Sequence, residues 1–184
     1  MKSNLELGDT FLSHENFIMA RELYEKAVKE DQEDQGLFGL ALCAYQEGDL
    51  VGCLQYLNDL LKKVPGHARA FNLSGMVAAR NGDLEGAEKL FVAAIESDPE
   101  FIEAQRNYGE VLVAKGDYSN GVQVLDTILK KHPEDIPTLL TMAELCLEAD
   151  MTKEGLLYLN QVIDLDPENE TALEMVRTAE ERLD

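Results

Sequence analysis

Pro65, Pro99, Pro133 and Pro167 stand 34 residues apart, and so do Gly48, Gly82 and Gly116. A period of this length means one supersecondary unit copied several times, each copy too small to bury its own apolar face. Overlaying the remaining positions gives five units, 1–33, 34–67, 68–101, 102–135 and 136–169, the first one residue shorter. Stacking against the next copy is then the only route to a core.

The unit 68–101 shows the pattern most cleanly. Phe71, Ser74, Gly75 and Ala78 precede a Gly82-Asp83 turn, and Ala87, Phe91 and Ala94 follow it before Pro99. This spacing predicts two short amphipathic helices joined by a tight turn and stopped by a proline. Small residues recur where the first helix meets its neighbours, at Gly8, Ala41, Gly75, Gly109 and Ala143. The second helix offers small Ala20, Cys53, Ala87, Gly121 and Gly155, then large Tyr24, Leu57, Phe91, Leu125 and Leu159. Alternation of small and large along one face is what interlocking helices require.

On these residues the chain resembles the tetratricopeptide repeat family, a 34-residue helix–turn–helix with an L-G-x2-Y…A-x3-F…P pattern. The match covers residues 1–169. It departs from the family pattern in lacking Trp at the first aromatic position, which holds Asn4, Leu37, Phe71, Gln105 and Leu139. The fifth unit has Asp150-Met151 in place of Gly-Asp, which weakens the expectation of a turn there. Gly121 and Gly155 fall inside predicted helices, each costing about 1 kcal/mol relative to Ala, so units four and five are expected to be the less stable end. Residues 170–184 begin a sixth unit and read as a capping helix with Leu173, Val176 and Leu183 on its apolar face. The expected class is all-α, an α-solenoid forming one domain over 1–184. The resemblance implies a right-handed superhelix.

Composition excludes several functions. Thirty-six acids against sixteen bases give a net charge of −20, which argues against nucleic acid or an anionic membrane as partner. Residues 133–184 carry fourteen of the acids and three of the bases. The longest uncharged stretch, Gln35 to Gln46, is too short to span a bilayer. No apolar signal follows Met1, so a cytoplasmic setting is expected, although a removed signal would leave no trace. Cys43, Cys53 and Cys146 form no CxxC pair and fall at helix-core positions, as structural thiols in a reducing compartment do. His14, His67 and His132 lie in different units without metal-ligand spacing. No G-x-S-x-G, Walker-type or G-x-G-x-x-G motif is present. Neither an enzyme, a metal nor a cofactor is expected.

What the resemblance implies instead is a concave groove, lined by the first helix of each unit, that receives an extended or helical segment of a partner protein. The candidates at its usual lining positions are Leu5, Phe38, Leu42 and Tyr45, then Arg69, Asn72, Met76, Arg80 and Arg106, and then Glu110. The first four are apolar for a solvent face. Three of the chain's six arginines fall on this lining, before it turns acidic through Glu110, Glu144 and Glu148. A partner with apolar anchors and an acidic group would suit that order, through desolvated anchors and bidentate arginine contacts. Ordinary surface pairing offers the competing reading: Arg106 is spaced to pair with Glu110 or Glu103, and Phe38 and Leu42 could be packed by the adjacent unit.

The carboxylate clamp of tetratricopeptide co-chaperones is not reproduced. Its Lys, Asn, Asn, Lys and Arg positions hold Leu5, Asp9, Leu42, Arg69 and Leu73, or, one unit later, Phe38, Leu42, Met76, Glu103 and Asn107. Two alternatives to a partner groove stand beside it: a scaffold that self-associates through the apolar start around Leu5 and Leu12, and the repeat region of a larger enzyme or secretion component.

Overall fold

The computed structural model describes residues 2–30 and 32–181. Among them all regular structure is helical. The helices are α1 (Asn4–Ser13), α2 (Phe17–Lys29), α3 (Glu33–Gln46), α4 (Leu50–Lys63), α5 (Ala68–Arg80), α6 (Leu84–Ser97), α7 (Ile102–Ala114), α8 (Tyr118–Lys131), α9 (Ile136–Glu148), α10 (Thr152–Leu165) and α11 (Glu170–Glu180). They form five helix pairs and a final single helix. α4, α6, α8 and α10 each stop two residues before Pro65, Pro99, Pro133 or Pro167, where the proline ring disfavours helical backbone in the residue ahead of it.

The turn inside each pair is built from one set of bonds. Asp49, Asp83 and Asp117 donate their N–H groups to the carbonyls of Ala44, Ala78 and Leu112 at 2.8, 3.0 and 2.9 Å. Their side chains then cap the next helix by accepting from the N–H of Gly52, Gly86 and Asn120. Gly48, Gly82 and Gly116 sit just before them at φ of 80°, 80° and 89°. The fifth turn forms as well, against the weakened expectation: Met151 N–H reaches the Cys146 carbonyl at 2.8 Å. There Asp150 takes the left-handed backbone, at φ 56°, and Met151 provides no side-chain cap. Glu15 occupies the same position in the first pair at φ 57°.

Within the pairs, small residues meet large ones. A Cβ added to Gly8 would stand 2.7 Å from Tyr24 Cε1, and one on Gly75 would stand 2.6 Å from Phe91 Cε1. The backbones of facing helices approach this closely because nothing projects between them. The same holds for Gly121, where an added Cβ would lie 2.7 Å from the Gly109 carbonyl oxygen and 2.6 Å from Val113 Cγ2. Glycine is lodged there by close packing, whatever it costs in helix propensity.

The packing separates two compact units, Met1–Ala104 and Gln105–Asp184. The first has a core around Leu37, Ala41, Leu57, Leu60, Leu73 and Val77, with a smaller cluster of Ala20, Tyr24, Leu40 and Cys43. The second is built around Leu139, Ala143, Leu159 and Val162, onto which α11 packs through Ala172 and Ala179. The face that α11 buries therefore agrees with the expected one at Val176 and departs from it at Leu173. Met175 and Val176, which fall between the two alanines in sequence, are half-buried against this core, while Leu173 is exposed. Leu183 lies outside the described residues.

Candidate functional site

In the first unit, α1, α3 and α5 run along a groove of about 590 Å³. α1 contributes Leu5, Glu6 and Asp9, α3 contributes Gln35, Phe38 and Leu42, and the start of α5 contributes His67 and Arg69. Four of the residues expected on a partner surface are thus brought together here: Leu5, Phe38, Leu42 and Arg69. Their exposures differ. Leu5 and Leu42 are half-buried and Arg69 is exposed, whereas Phe38 is only 7% exposed and belongs to the core.

Phe38 is covered from above. The Arg69 guanidinium carbon stands 4.3 Å from its ring centroid, and the His67 ring lies 5.6 Å away at an interplanar angle of 31°. His67 is held by capping α5: its Nδ1 accepts from the N–H of Ala70 at 3.1 Å. Burial, and then the Arg69 charge, lower its pKa, which keeps the ring nitrogen free to accept. Farther along α5, the Arg80 guanidinium lies 5.4 Å from the Tyr45 ring and donates to the Tyr45 carbonyl at 3.4 Å.

Among the described residues, no carboxylate pairs with Arg69 or with Arg80. The acids that line the groove are engaged locally. Glu6 accepts from the backbone of Ser3 in a capping box at 2.7 Å, and Asp9 accepts the Tyr24 hydroxyl at 2.7 Å. Stacking an arginine on an aromatic face leaves its N–H edge directed outward, suited to a carboxylate. Between the two arginines on α5, Asn72 is buried and donates to Glu103 at 2.9 Å, with Met76 half-buried beside it.

Arg106 and Glu110 belong to the second unit. Arg106 is largely covered and reaches two acids: Asp135 at 3.4 Å and Glu110 at 4.0 Å. Glu110 also accepts from the Thr141 hydroxyl at 3.0 Å. Loss of solvent raises the Glu110 pKa, while the Thr141 bond and Arg106 act to lower it. The Glu110 partner was legible as a helical i, i+4 pair. Asp135, His67 and Thr141 were missed, and their signal was the separation of about one repeat between each residue and its partner.

Among the described residues, no group of three His, Cys, Asp or Glu side chains is arranged to hold a metal ion, and no helix is long and apolar enough to cross a membrane. Family models described as Tetratricopeptide repeat match residues 5–68 and 53–100 in one case, and 78–137 and 112–179 in another. No curated protein matches the chain. Several solved structures share its fold. TTC0263, a thermophilic TPR protein of Thermus thermophilus, aligns with a TM-score of 0.84 at 21% identity, covering 96% of each chain. PilF of Pseudomonas aeruginosa aligns at 0.76 and 18% identity, over 97% of this chain and 84% of its own. YrrB, described as a TPR protein with an unusual peptide-binding site, aligns at 0.62 and 15% identity, over 95% and 90%.

Proposed function

Because the chain belongs to the tetratricopeptide repeat family, whose members generally act as non-catalytic protein-interaction modules, we propose that its first unit binds a peptide or helical segment of a partner protein in the groove of α1, α3 and α5. The segment would carry an apolar side chain for the Leu5–Leu42 surface and a carboxylate for Arg69. A second acidic group would meet Arg80 above Tyr45, with Asn72 and Met76 supporting the face between them. Arg106 and Glu110 enter the proposal only as part of the second unit's own surface, since Asp135 and Thr141 already engage them.

The observation that carries this reading is Arg69, held 4.3 Å over Phe38 without a carboxylate partner among the described residues, in a chain of net charge −20. In so acidic a protein an arginine readily finds an acid. One that stacks on an aromatic instead keeps its hydrogen-bonding edge available. The peptide-binding description attached to YrrB supports the same class of ligand. We place the activity in the cytoplasm, where Cys43, Cys53 and Cys146 stay reduced.

Fluorescence anisotropy tests the proposal, using labelled peptides with leucine beside aspartate and counterparts with leucine beside asparagine. The aspartate series binds more tightly, and Arg69→Glu weakens it by about tenfold or more while flattening its salt dependence. Equal binding by Arg69→Glu and wild type would sink the assignment.

A further inference from the structure

The second unit has a cavity of its own, about 600 Å³, between the start of α8, the end of α9 and the start of α10. Tyr118 and Val122 line it from α8, Met142 from α9, and Met151 and Tyr158 from the other side. Tyr118 is 64% exposed, Met151 47% and Val122 37%. Single exposed apolar residues need no explanation, but several converging on one hollow mark a binding surface.

Met151 is the informative residue. It occupies the position that Asn16, Asp49, Asp83 and Asp117 use to cap the second helix of the other pairs. Here the cap is absent, and an apolar side chain faces the cavity. The repeat gives up a locally stabilising residue at the point where the surface becomes apolar, as functional sites do. Methionine, flexible and polarisable, adapts to irregular apolar partners.

The charged lining is acidic. Glu148 and Glu154 border the cavity, and among the described residues neither pairs with a base. Cys146, also in the lining, has its pKa raised by burial first and then by the Glu154 charge, so it contributes a neutral thiol. The stretch of sequence that supplies α9 and α10, residues 133–184, carries fourteen acids against three bases, which favours a basic partner.

We propose that this cavity is a second docking site, taking a large apolar side chain from a partner segment whose flanking residues are lysine or arginine. Charge complementarity selects that occupant: the apolar side chain fills the hollow and the bases meet Glu148 and Glu154. A second copy of this chain, at net charge −20, fits poorly.

The test uses a labelled leucine–lysine amphipathic helical peptide, the same peptide with leucines changed to alanine, and the full chain as wild type, Met151→Asp, Val122→Ser and Arg69→Glu. Met151→Asp adds a negative charge and restores the missing cap, so weaker binding by this variant cannot come from lost attraction or from unfolding. The leucine peptide binds wild type and Arg69→Glu alike. The alanine peptide, Met151→Asp and Val122→Ser each weaken binding by about tenfold. Equal binding of the alanine peptide, meaning adsorption by charge alone, overturns the proposal, and so does unchanged binding by Met151→Asp and Val122→Ser. A wild-type dimer in light scattering that Met151→Asp dissolves would assign the cavity to a second copy and overturn it too.

Discussion

Asn72 donates to Glu103 at 2.9 Å across a separation of 31 residues, the same separation that sets Arg69 over Phe38. Both contacts join the first helix of one pair to the first helix of the next. The fifth position of one repeat therefore meets the second position of the following one, and the residue pair there changes character along the first unit. At Phe38–Arg69 it is aromatic and cationic, and at Asn72–Glu103 it is amide and carboxylate.

The Phe38–Arg69 contact has a measurable size. Phe38→Ala removes a core side chain and is expected to cost about 3 kcal/mol or more. Arg69→Ala removes an exposed cation and costs far less. A double-mutant cycle by urea denaturation should return a coupling of about 0.5–1 kcal/mol, the range of an exposed cation–π contact. Zero coupling would mean that the stack is not maintained in solution.

Much of this fold was readable in residue types alone. The small-to-large succession that names Gly75 and Phe91 is a steric rule, and the structure sets those two against each other. The final helix shows where such reading fails. Leucine is more apolar than alanine, so Leu173 was expected on the buried face. α11 packs through Ala172 and Ala179 instead, because close helix approach selects for small size over hydrophobicity. On the candidate site, helical spacing revealed the Arg106–Glu110 pair but not Asp135, which belongs to another helix. It left open whether Phe38 meets a partner or is packed by the adjacent repeat, and the structure shows Phe38 buried with Arg69 and His67 against its ring, since burial is decided by what stacks above a residue.

The turns give a direct test of local strain. Glu15 and Asp150 hold φ of 57° and 56° where three other turns place glycine. Left-handed backbone costs a residue with a Cβ roughly 1 kcal/mol. Asp150→Gly and Glu15→Gly should each stabilise the protein by up to about 1 kcal/mol, less the extra unfolded-chain entropy that glycine brings. Met151→Asp should add about 1 kcal/mol more by restoring a cap. Chemical denaturation of the single and combined variants reads these values, and destabilisation by Asp150→Gly would contradict the strain argument.

Gly121 makes the opposite case. By helix propensity alone, Gly121→Ala would stabilise α8 by about 1 kcal/mol. The added methyl, however, would approach the Gly109 carbonyl oxygen to 2.7 Å, and backbone cannot swing aside as a side chain can. We expect a net loss of about 1–3 kcal/mol from overpacking, seen as a lower denaturation midpoint. A gain in stability would show that α7 and α8 are packed less closely than this.

Buried thiols predict an alkaline limit. Cys43 and Cys53 are fully buried, and burial first pushes each up to about 11 from an ordinary 9.0. Folding thus favours the protonated form. The stability linked to these groups is whole below pH 9.0 and is lost as pH rises toward about 11. The Tyr24 phenol, raised by burial and then by its bond to Asp9, adds to the loss at the upper end. Urea midpoints should hold steady to about pH 9 and then fall, with a shallower decline in Cys43→Ala/Cys53→Ala. In the native protein a thiol reagent should modify half-buried Cys146 first, and Cys43 and Cys53 only as fast as the fold opens. Reaction of all three at one rate, or unchanged midpoints through pH 11, would show that these thiols are not sealed in the core.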